Sequence, residues 1–348
     1  MFSKFRSLIF KINPETAHDL AIKSLKFNFI PNIFDENKND PMFKTTLFEK
    51  EIENPIGIAA GFDKNAEVYN PLFKLGFGFV EVGTITPIKQ FGNPKPRVFR
   101  LQEDEALINR LGFNNSGAEI TSSRIRSIKP NGLLGINIGP NSDTKDRLND
   151  YLICIKKFHD IADYITINIS SPNTEKLRDF HENEKLEELL SSVREEMKNL
   201  KSSTPMVVKI SPDISIEKAN QITEVILKYE IKAIIVSNTT EGNRDKLKSS
   251  NMHQKGGLSG KPLEEKSNNL INTFYNSLKG EIPIIGVGGI DSGKSAYKKF
   301  LAGANFIQLY TGMVYKGPSI VVKIKKELKE ILTNIGVNNF NEIVGKKN

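Results

Sequence analysis

The sequence predicts an α/β fold, a (β/α)8 TIM barrel with a small N-terminal helical extension. Two observations support this prediction: eight short apolar segments alternate with helical patterns after Pro41, and polar side chains gather where these segments end. The segments are continuously apolar, as expected for parallel strands covered by helices. The predicted strands are Ile56–Ala60, Phe79–Gly83, Leu133–Ile138, Tyr164–Ile169, Met206–Ile210, Ala233–Val236, Ile284–Val287 and Phe306–Leu309.

Helical patterns separate the predicted strands. Apolar residues recur at helical spacing in Asp150–Ile161, Lys185–Leu200, Ile216–Tyr229, Leu263–Leu278 and Lys294–Ala302. The segment Ile320–Leu332 has the same spacing between lysines and predicts a helix with one solvated face. The loops after the second, fourth and sixth strands (84–113, 170–183 and 237–261) are long. Long loops commonly build or cover a functional site.

Residues 1–40 differ from the rest of the chain. Apolar side chains recur at helical spacing at Phe2, Phe5, Leu8 and Ile9. Asn13 and Pro14 predict the N-cap and first residue of a second helix. Short helices with phenylalanines and basic flanks could lie on a membrane surface. They could also pack on the main domain, which the residues alone favour because most amphipathic helices face a core.

The composition excludes several classes of protein. With 348 residues, 38% of them hydrophobic and 26% charged, the chain is neither disordered nor fibrous in composition. The single cysteine, Cys154, excludes an internal disulfide and a cysteine-rich metal site and fits a reducing compartment. Because Cys154 lies in a predicted helix, we expect a buried or semi-buried structural thiol. The four histidines form no ligand pattern, so no metal site is predicted.

Most of the net charge lies near the C-terminus. The net charge is +8, and residues 294–348 hold ten Lys or Arg against three acidic residues. Such a segment can bind nucleic acid or anionic lipid, but no aromatic stacking motif accompanies it, so we expect no nucleic acid. No apolar run approaches the ~20 residues that span a membrane. No cleavable signal peptide is indicated, because Lys4 and Arg6 interrupt Phe2–Phe10.

Polar and glycine-rich segments follow the predicted strands, at the end of a barrel where chemistry is usually found. They are Gly61–Ala66, Thr84–Pro87, Gly139–Asn141, Asn168–Thr174, Ser237–Thr240, Gly286–Ile290 and Tyr310–Gly312. Lys209 instead lies inside an apolar strand, where an unpaired ammonium is costly to bury. It could pair with a barrel carboxylate, but the strand ends are poor in acids, which favours an anionic or electron-rich ligand. Lys64 raises the same question, with Asp63 as a local partner.

The segment Asn168–Thr174, Asn-Ile-Ser-Ser-Pro-Asn-Thr, places two amides and two hydroxyls on one loop. Asn side chains offer a donor and an acceptor together, so two of them can bind a planar imide or amide ring. A serine on the same loop could act as nucleophile or proton acceptor. An ordinary Ser-Pro-Asn turn is the alternative.

Gly288–Ser295 matches the phosphate-binding loop of nucleoside triphosphatases, Gly-x4-Gly-Lys-Ser. Two observations argue against that function: the segment follows the seventh of eight strands, and no later apolar strand ends in an Asp suited to magnesium. In a barrel, backbone amides after strands seven and eight form the usual phosphate site. We therefore prefer the barrel phosphate site, which predicts that Lys294 lies on the helix surface.

These features together suggest flavin mononucleotide (FMN). The phosphate would bind backbone amides of Gly288, Gly289, Tyr310 and Thr311. Lys209 would reach the pyrimidine edge of the flavin, where negative charge gathers on reduction. The flavin and a small amide-rich substrate would be held by Asn109, Asn137, Asn168, Asn173 and Asn238.

Seven segments match one family, and together they are highly specific. They are Gly61–Asn65, Gly92–Arg97, Asn109–Asn114, Asn137–Gly139, Asn168–Thr174, Gly256–Gly260 and Val287–Ile290. On these segments the chain resembles the dihydroorotate dehydrogenases over nearly its whole length. It resembles the quinone-dependent, membrane-associated class, which has serine as the loop base, matching Ser171, and an N-terminal Pro-Glu-x-Ala-His helix start, matching Pro14–His18.

The resemblance implies oxidation of (S)-dihydroorotate to orotate in de novo pyrimidine biosynthesis. Ser171 would remove a proton from C5. Because serine is a poor base unless its own proton can leave, a water or hydroxyl relay would be needed. A hydride would pass from C6 to flavin N5, and a quinone would reoxidise the flavin. A soluble relative that reduces fumarate or NAD is the alternative.

The resemblance also implies three regions: residues 1–40 as a quinone tunnel and membrane contact, 41–336 as the FMN-binding barrel, and 337–348 as a basic tail. The protein would be peripheral on the cytoplasmic side of the inner cell membrane. The implied substrate-binding residues are Lys64, Asn109, Arg110, Leu111, Gly112, Phe113, Asn168, Asn173, Asn238 and Thr239. The implied FMN-binding residues are Ala60, Gly61, Phe62, Asp63, Lys64, Thr84, Asn137, Asn168, Lys209, Ser237, Gly260, Gly289, Tyr310 and Thr311. Ser237 replaces an expected threonine and keeps the hydroxyl.

Overall fold

The computed structural model describes residues 2–27 and 40–346, with side chains from Phe5 onward. Eight parallel strands, β1 to β8, close into a barrel in chain order, with β8 pairing β1. They are Ile56–Ile58, Phe79–Ile85, Leu133–Ile138, Tyr164–Asn168, Met206–Lys209, Ala233–Val236, Ile284–Val287 and Phe306–Leu309. The predicted (β/α)8 barrel is confirmed, because every strand overlaps its prediction.

Two strand ends differ from the prediction. β1 ends at Ile58 rather than Ala60, because the chain leaves the ladder before Gly61, whose N–H donates to the carbonyl of Gly83 at 2.7 Å. β2 continues past Gly83 to Ile85, across a register irregularity. Both differences lie at the carboxyl end of the barrel, where loop geometry replaces regular pairing.

Eleven helices, α1 to α11, are present in the described residues. They are Phe2–Ile9, Pro14–Lys26, Tyr69–Lys74, Ala118–Ser127, Arg147–Phe158, Asn183–Asn199, Ile216–Lys228, Glu264–Leu278, Gly293–Leu301, Thr311–Lys316 and Ile320–Asn334. The predicted helices are confirmed, with ends shifted by a few residues. Helix α5 starts before the predicted Asp150 because the Asp146 carboxylate caps it, accepting the N–H of Asn149 at 2.9 Å.

Two side-chain predictions for these helices are confirmed. Cys154 on α5 is fully buried as a free thiol. Helix α11 buries the apolar stripe of Ile320, Ile324 and Leu328 and leaves most of its lysines toward solvent. Three of the basic residues near the C-terminus, Lys323, Lys326 and Lys329, therefore lie on a solvated helix face.

The N-terminal helices lie beside the barrel. Asn13 caps α2 as predicted, since its Oδ1 accepts the N–H of Glu15 at 3.0 Å and of Thr16 at 3.4 Å. Phe5 and Leu8 on α1 stay more than half exposed. Residues 28–39 of the predicted extension, and the last two residues of the predicted tail, lie outside the described residues. Within the described part of the chain, no helix is long and apolar enough to cross a membrane.

Two small antiparallel sheets were not predicted. Thr45–Leu47 pairs with Lys50–Ile52 and covers the amino end of the barrel, where Leu47 packs on the first residues of the strands. At the opposite end, Ala106–Asn109 pairs with both Val98–Leu101 and Gly257–Gly260. This three-stranded sheet brings the long loops after β2 and β6 together over the barrel mouth.

Candidate active site

A cavity opens at the carboxyl end of the barrel, beneath the three-stranded sheet. The structure brings Ser171 and most of the other sequence-predicted residues into its lining: Ala60, Gly61, Lys64, Thr84, Asn109, Leu111, Gly112, Phe113, Asn168, Asn173, Lys209, Ser237, Asn238, Thr239, Gly260, Gly289, Tyr310 and Thr311. Four predicted residues are outside the lining: Phe62, Asp63, Arg110 and Asn137. The residues converge because parallel strands bring their carboxyl ends to one face.

Two of these four residues support loops. Asp63 is buried, and its carboxylate accepts the N–H groups of Glu67 and Val68, both at 2.8 Å. Burial raises the pKa of Asp63. Arg110 lies away from the cavity and donates from Nη2 to the carbonyl of Pro96 at 2.9 Å. We therefore assign both residues to loop structure and not to direct contact with a ligand.

Asn137 lies beneath the cavity floor in a network of amides. Asn168 Nδ2 donates to Thr84 Oγ1 at 3.0 Å and to Asn137 Oδ1 at 3.1 Å. Asn137 Nδ2 in turn donates to Oε1 of Glu81 at 2.8 Å. Because the carboxylate can only accept, it fixes which way the Asn137 amide faces, and so orients the side chain of Asn168.

Glu81 is a buried residue that the sequence analysis did not single out. Its carboxylate at the barrel centre also accepts hydrogen bonds from Tyr164 at 2.9 Å, Thr166 at 3.2 Å and Gln308 at 3.0 Å. The sequence could have indicated Glu81 as it indicated Lys209, because each is a charged residue inside an apolar strand. Buried charges of this kind need partners.

Lys209 lies next to Asn168 in the β4–β5 register, and its side chain is only 5% exposed. Within residues 2–27 and 40–346, nothing lies within hydrogen-bond or ion-pair distance of its Nζ. Burial lowers the pKa of Lys209, and the negative charge of Glu81 partly opposes this shift. The Glu81 carboxylate thus acts on Lys209 from beyond ion-pair distance. The ammonium of Lys209 therefore remains available to the cavity that it lines.

The two adjacent serines of the β4 loop have different surroundings. Ser170 Oγ donates to Asn168 Oδ1 at 2.9 Å and accepts from Asn238 Nδ2 at 3.0 Å. Ser171 lines the cavity, and its Oγ accepts the N–H of Asn173 at 3.2 Å. Ser170 therefore joins two loops, whereas Ser171 lines the cavity.

Arg178 holds the β4 loop against the β6 loop, a role that the sequence gave no signal for. Its Nε donates to the carbonyl of Ser170 at 3.2 Å, and its Nη2 to the carbonyl of Thr239 at 3.1 Å. Nη1 binds Asp213 at 3.1 Å and Glu241 at 2.9 Å. The planar guanidinium thus fixes the spacing of two loops that line the cavity.

The glycine turn after β7, Gly288 and Gly289, presents backbone donors to the cavity. Both have positive φ, +121° and +75°. Among the described residues, no acceptor lies within hydrogen-bond distance of either N–H. Such N–H groups form a site for an anion.

The triphosphatase interpretation of this segment is not supported by its geometry. The N–H of Gly293 donates to a carboxylate oxygen of Glu327 at 2.7 Å, so this amide faces an acid. Lys294 is exposed on α9, as the barrel interpretation predicted, and does not line the cavity.

A second cleft lies between α2 and the barrel. The rings of His18, Phe62 and Tyr310 meet there, with centroids 5.2 to 6.3 Å apart. Burial lowers the pKa of His18 to about 3, so its imidazole is neutral at physiological pH. Lys64 and Tyr310 line both this cleft and the main cavity, so the two are adjacent.

No metal centre accompanies these sites in the part of the chain that the structure describes. Residues 2–27 and 40–346 contain no group of three His, Cys, Asp or Glu side chains that could hold a metal ion.

Comparisons with known proteins agree on one family. The family model for dihydroorotate dehydrogenase matches residues 42–332. The chain is 45% identical to a dihydroorotate dehydrogenase (quinone) of Bartonella tribocorum, over 97% of this chain and 94% of that protein. It is 44% identical to a protein of the same name from Buchnera aphidicola, over 93% and 98%. The crystal structure of DHODH from Eimeria tenella with ferulenol superposes with a TM-score of 0.91 and 37% identity, covering 96% of this chain and 95% of that one. The chain belongs to the dihydroorotate dehydrogenase family.

Proposed function

We propose that this protein oxidises dihydroorotate to orotate in pyrimidine biosynthesis, with bound FMN and with a quinone as electron acceptor. One observation carries the proposal: a single cavity is lined by Ser171, by Lys209 and by the glycine turn, and no described residue pairs with the Lys209 ammonium or the Gly288 and Gly289 amides. The relatives named as quinone-dependent dihydroorotate dehydrogenases support the choice of reaction and acceptor.

The donors of the cavity fit FMN. The amides of Gly288 and Gly289 suit its phosphate, and the ammonium of Lys209 suits the electron-rich pyrimidine edge. The other proposed contacts are those of Ala60, Gly61, Lys64, Thr84, Asn168, Ser237, Gly260, Tyr310 and Thr311, with Phe62, Asp63 and Asn137 supporting them from behind. When bound, FMN supplies the two-electron acceptor that connects dihydroorotate to the quinone.

The proposed substrate site lies across the same cavity. Asn109, Asn173, Asn238 and Thr239 offer amide and hydroxyl groups that match the ring amides of dihydroorotate. Lys64, whose Nζ donates to the carbonyl of Gly61 at 2.7 Å, supplies positive charge for the substrate carboxylate. The backbone of residues 111–113 completes the site, and Arg110 supports that segment from outside.

Ser171 is the proposed base. The N–H of Asn173 stabilises negative charge on its Oγ because that oxygen accepts the hydrogen bond. Serine needs a route for its own proton, so a water or hydroxyl relay to solvent is required. Asn168 fixes the neighbouring Ser170, and the loop therefore presents Ser171 in one orientation.

The cleft between α2 and the barrel is the proposed quinone entrance. The rings of His18, Phe62 and Tyr310 line its inner end, the histidine is neutral, and the cleft adjoins the main cavity. Charged side chains of α2, Glu15, Asp19, Lys23 and Lys26, also line the cleft. Exposed Phe5, Leu8 and Phe27 give the N-terminal region an apolar outer surface that suits a peripheral membrane contact. We accordingly propose three regions, 1–40 for quinone and membrane contact, 41–336 for the barrel and 337–348 as a basic tail, and a location on the cytoplasmic side of the inner membrane.

The flavin spectrum of the purified protein tests the proposal. A yellow protein that bleaches with dihydroorotate under anaerobic conditions, and regains colour with a quinone but not with fumarate or NAD, is the expected result. A colourless protein, or a flavin that dihydroorotate does not reduce, would exclude this function.

A further inference from the structure

Lys299, on α9, is buried behind the glycine turn and takes no part in the chemistry described above. Its side chain is 0% exposed, and its Nζ donates to Ser267 Oγ at 3.0 Å. A Cβ on Gly286 would lie 2.8 Å from Cγ of Lys299, so the lysine stem packs directly behind β7.

No carboxylate among the described residues forms an ion pair with Lys299. Glu264 is the acid whose charge acts on it, but the Glu264 carboxylate lies 3.0 Å from Nζ of Lys298, which is half exposed. A buried ammonium with one neutral hydrogen-bond partner is costly, and a nearby anion would offset that cost.

Ser267 connects the ammonium to the glycine turn. Its Oγ accepts from Lys299 and donates to the carbonyl of Val287 at 2.6 Å. The N–H of Ser237 binds the same carbonyl at 3.2 Å. In a trans peptide the carbonyl and the next N–H point in opposite directions. Holding the Val287 carbonyl on the helix side therefore turns the N–H of Gly288 toward the cavity.

The ammonium is also close to the turn in space. A Cβ on Gly288 would lie 3.2 Å from the Cβ of Ser267, the residue that Lys299 contacts. Burial lowers the pKa of Lys299 to about 7. A phosphate monoester carries a charge of about −1.5 to −2 at neutral pH, and such an anion in front of the turn favours the charged form of the lysine.

We propose that Lys299 is a positioning residue for the phosphate end of the cofactor: it fixes Ser267 and the Val287 carbonyl, and it places a positive charge behind the amides that bind the phosphate. The inference rests on the proposed binding of FMN. It predicts selectivity for a phosphorylated flavin, which a purely structural lysine would not provide.

Flavin-free protein titrated with FMN and with riboflavin, followed by flavin fluorescence, tests this inference. Lys299→Met removes the charge and keeps an unbranched side chain. We expect it to weaken FMN binding about tenfold or more and to leave riboflavin binding unchanged. Lys298→Met, one residue away on the exposed surface, is the matched control and should change neither affinity.

Two results would overturn the inference: equal weakening of FMN and riboflavin by Lys299→Met, or no weakening of either. If Lys299→Met gives no folded protein, Lys299→Gln is used in the same titrations. We again expect weaker FMN binding and unchanged riboflavin binding. Failure of the unsubstituted protein to bind FMN would instead refute the proposed function, so the two outcomes are distinct.

Discussion

Arg97 joins the barrel to the N-terminal helix by binding Glu15 with two nitrogens, Nη2 at 2.9 Å and Nε at 3.1 Å from the same carboxylate oxygen. Both side chains are largely buried, so the pair is shielded from solvent and salt. Arg97 also donates to the carbonyl of Asn93 at 2.8 Å, in the loop above the main cavity. One guanidinium therefore connects the proposed quinone cleft to the loop over the proposed substrate site.

Glu15→Gln should impair the quinone half-reaction selectively. It removes the charge that holds α2 on the barrel, and we expect the KM for quinone to rise and unfolding stability to fall by about 2 kcal/mol. Stopped-flow flavin reduction at pH 6.5 should be unchanged. Lys26→Met, which breaks the more exposed Lys26–Glu67 pair between α2 and the loop after β1, is the stability control, with an expected cost below about 1 kcal/mol. Equal losses in both half-reactions would contradict the assignment of the cleft.

Ser171→Ala should keep the flavin and abolish its fast reduction. The hydroxyl is the proposed base, so we expect reduction by dihydroorotate to slow by about 10²- to 10⁴-fold. Flavin content and the melting temperature serve as controls, because Ser171 makes a single hydrogen bond with its own loop. Reduction at a near-normal rate would show that another group takes the proton.

Dihydroorotate binding should weaken as pH rises through about 8. Burial lowers the pKa of Lys64 to about 8, with the charge of Glu15 partly opposing the shift. Below that pH the ammonium is present and attracts the substrate carboxylate. Above it the charge is lost, so the apparent Kd should rise toward tenfold per pH unit. Stopped-flow titration from pH 6 to pH 9.5 measures this rise. A rise of the same size in Lys64→Met would assign the effect to another group.

Arg178→Lys should slow flavin reduction without removing the flavin. A lysine cannot bridge the carbonyls of Ser170 and Thr239, which the guanidinium holds at 3.2 and 3.1 Å. We expect about a tenfold lower rate of reduction from the looser loops. Arg194→Lys, which alters an ion pair between α6 and Glu230 in the turn after α7, is the matched control and should have no effect. Identical rates of flavin reduction in the two variants would contradict the proposed role of Arg178 in spacing the two loops.

Gly135→Ala should destabilise the barrel. A Cβ at Gly135 on β3 would collide with the ring of Tyr164. Tyr164 is fully buried, and its hydroxyl donates a hydrogen bond to Glu81 at 2.9 Å. Overpacking of this kind costs about 1–3 kcal/mol. Denaturant unfolding measures it, with Gly242→Ala as a control, since a Cβ there makes only ordinary contacts. Equal stability of the two variants would show that Tyr164 has room to move.

The sequence predicted the residues that line the cavity better than the contacts that hold them. Lys209, Ser171 and Asn168 were recognisable because each interrupts or follows an apolar strand, and parallel strands bring such residues to one face. Arg178 and Lys299 gave no comparable signal, since a basic residue in a loop or helix is usually solvated. Their roles depend on carbonyls and hydroxyls that lie far away along the chain.

The sequence by itself determined the barrel, the residues around its mouth and the family, because strand periodicity and short motifs are local properties of the chain. Only the tertiary structure decided that Asn137, Asp63 and Arg110 lie behind the cavity, and that a three-stranded sheet covers it. The resemblance had already chosen Ser171 over Ser170, and the structure adds the physical difference: Ser170 joins two loops, whereas Ser171 lines the cavity. The physical reason is that hydrogen bonds depend on distances in the folded chain. Two serines that are neighbours in the sequence can therefore have different partners, and the sequence does not show which.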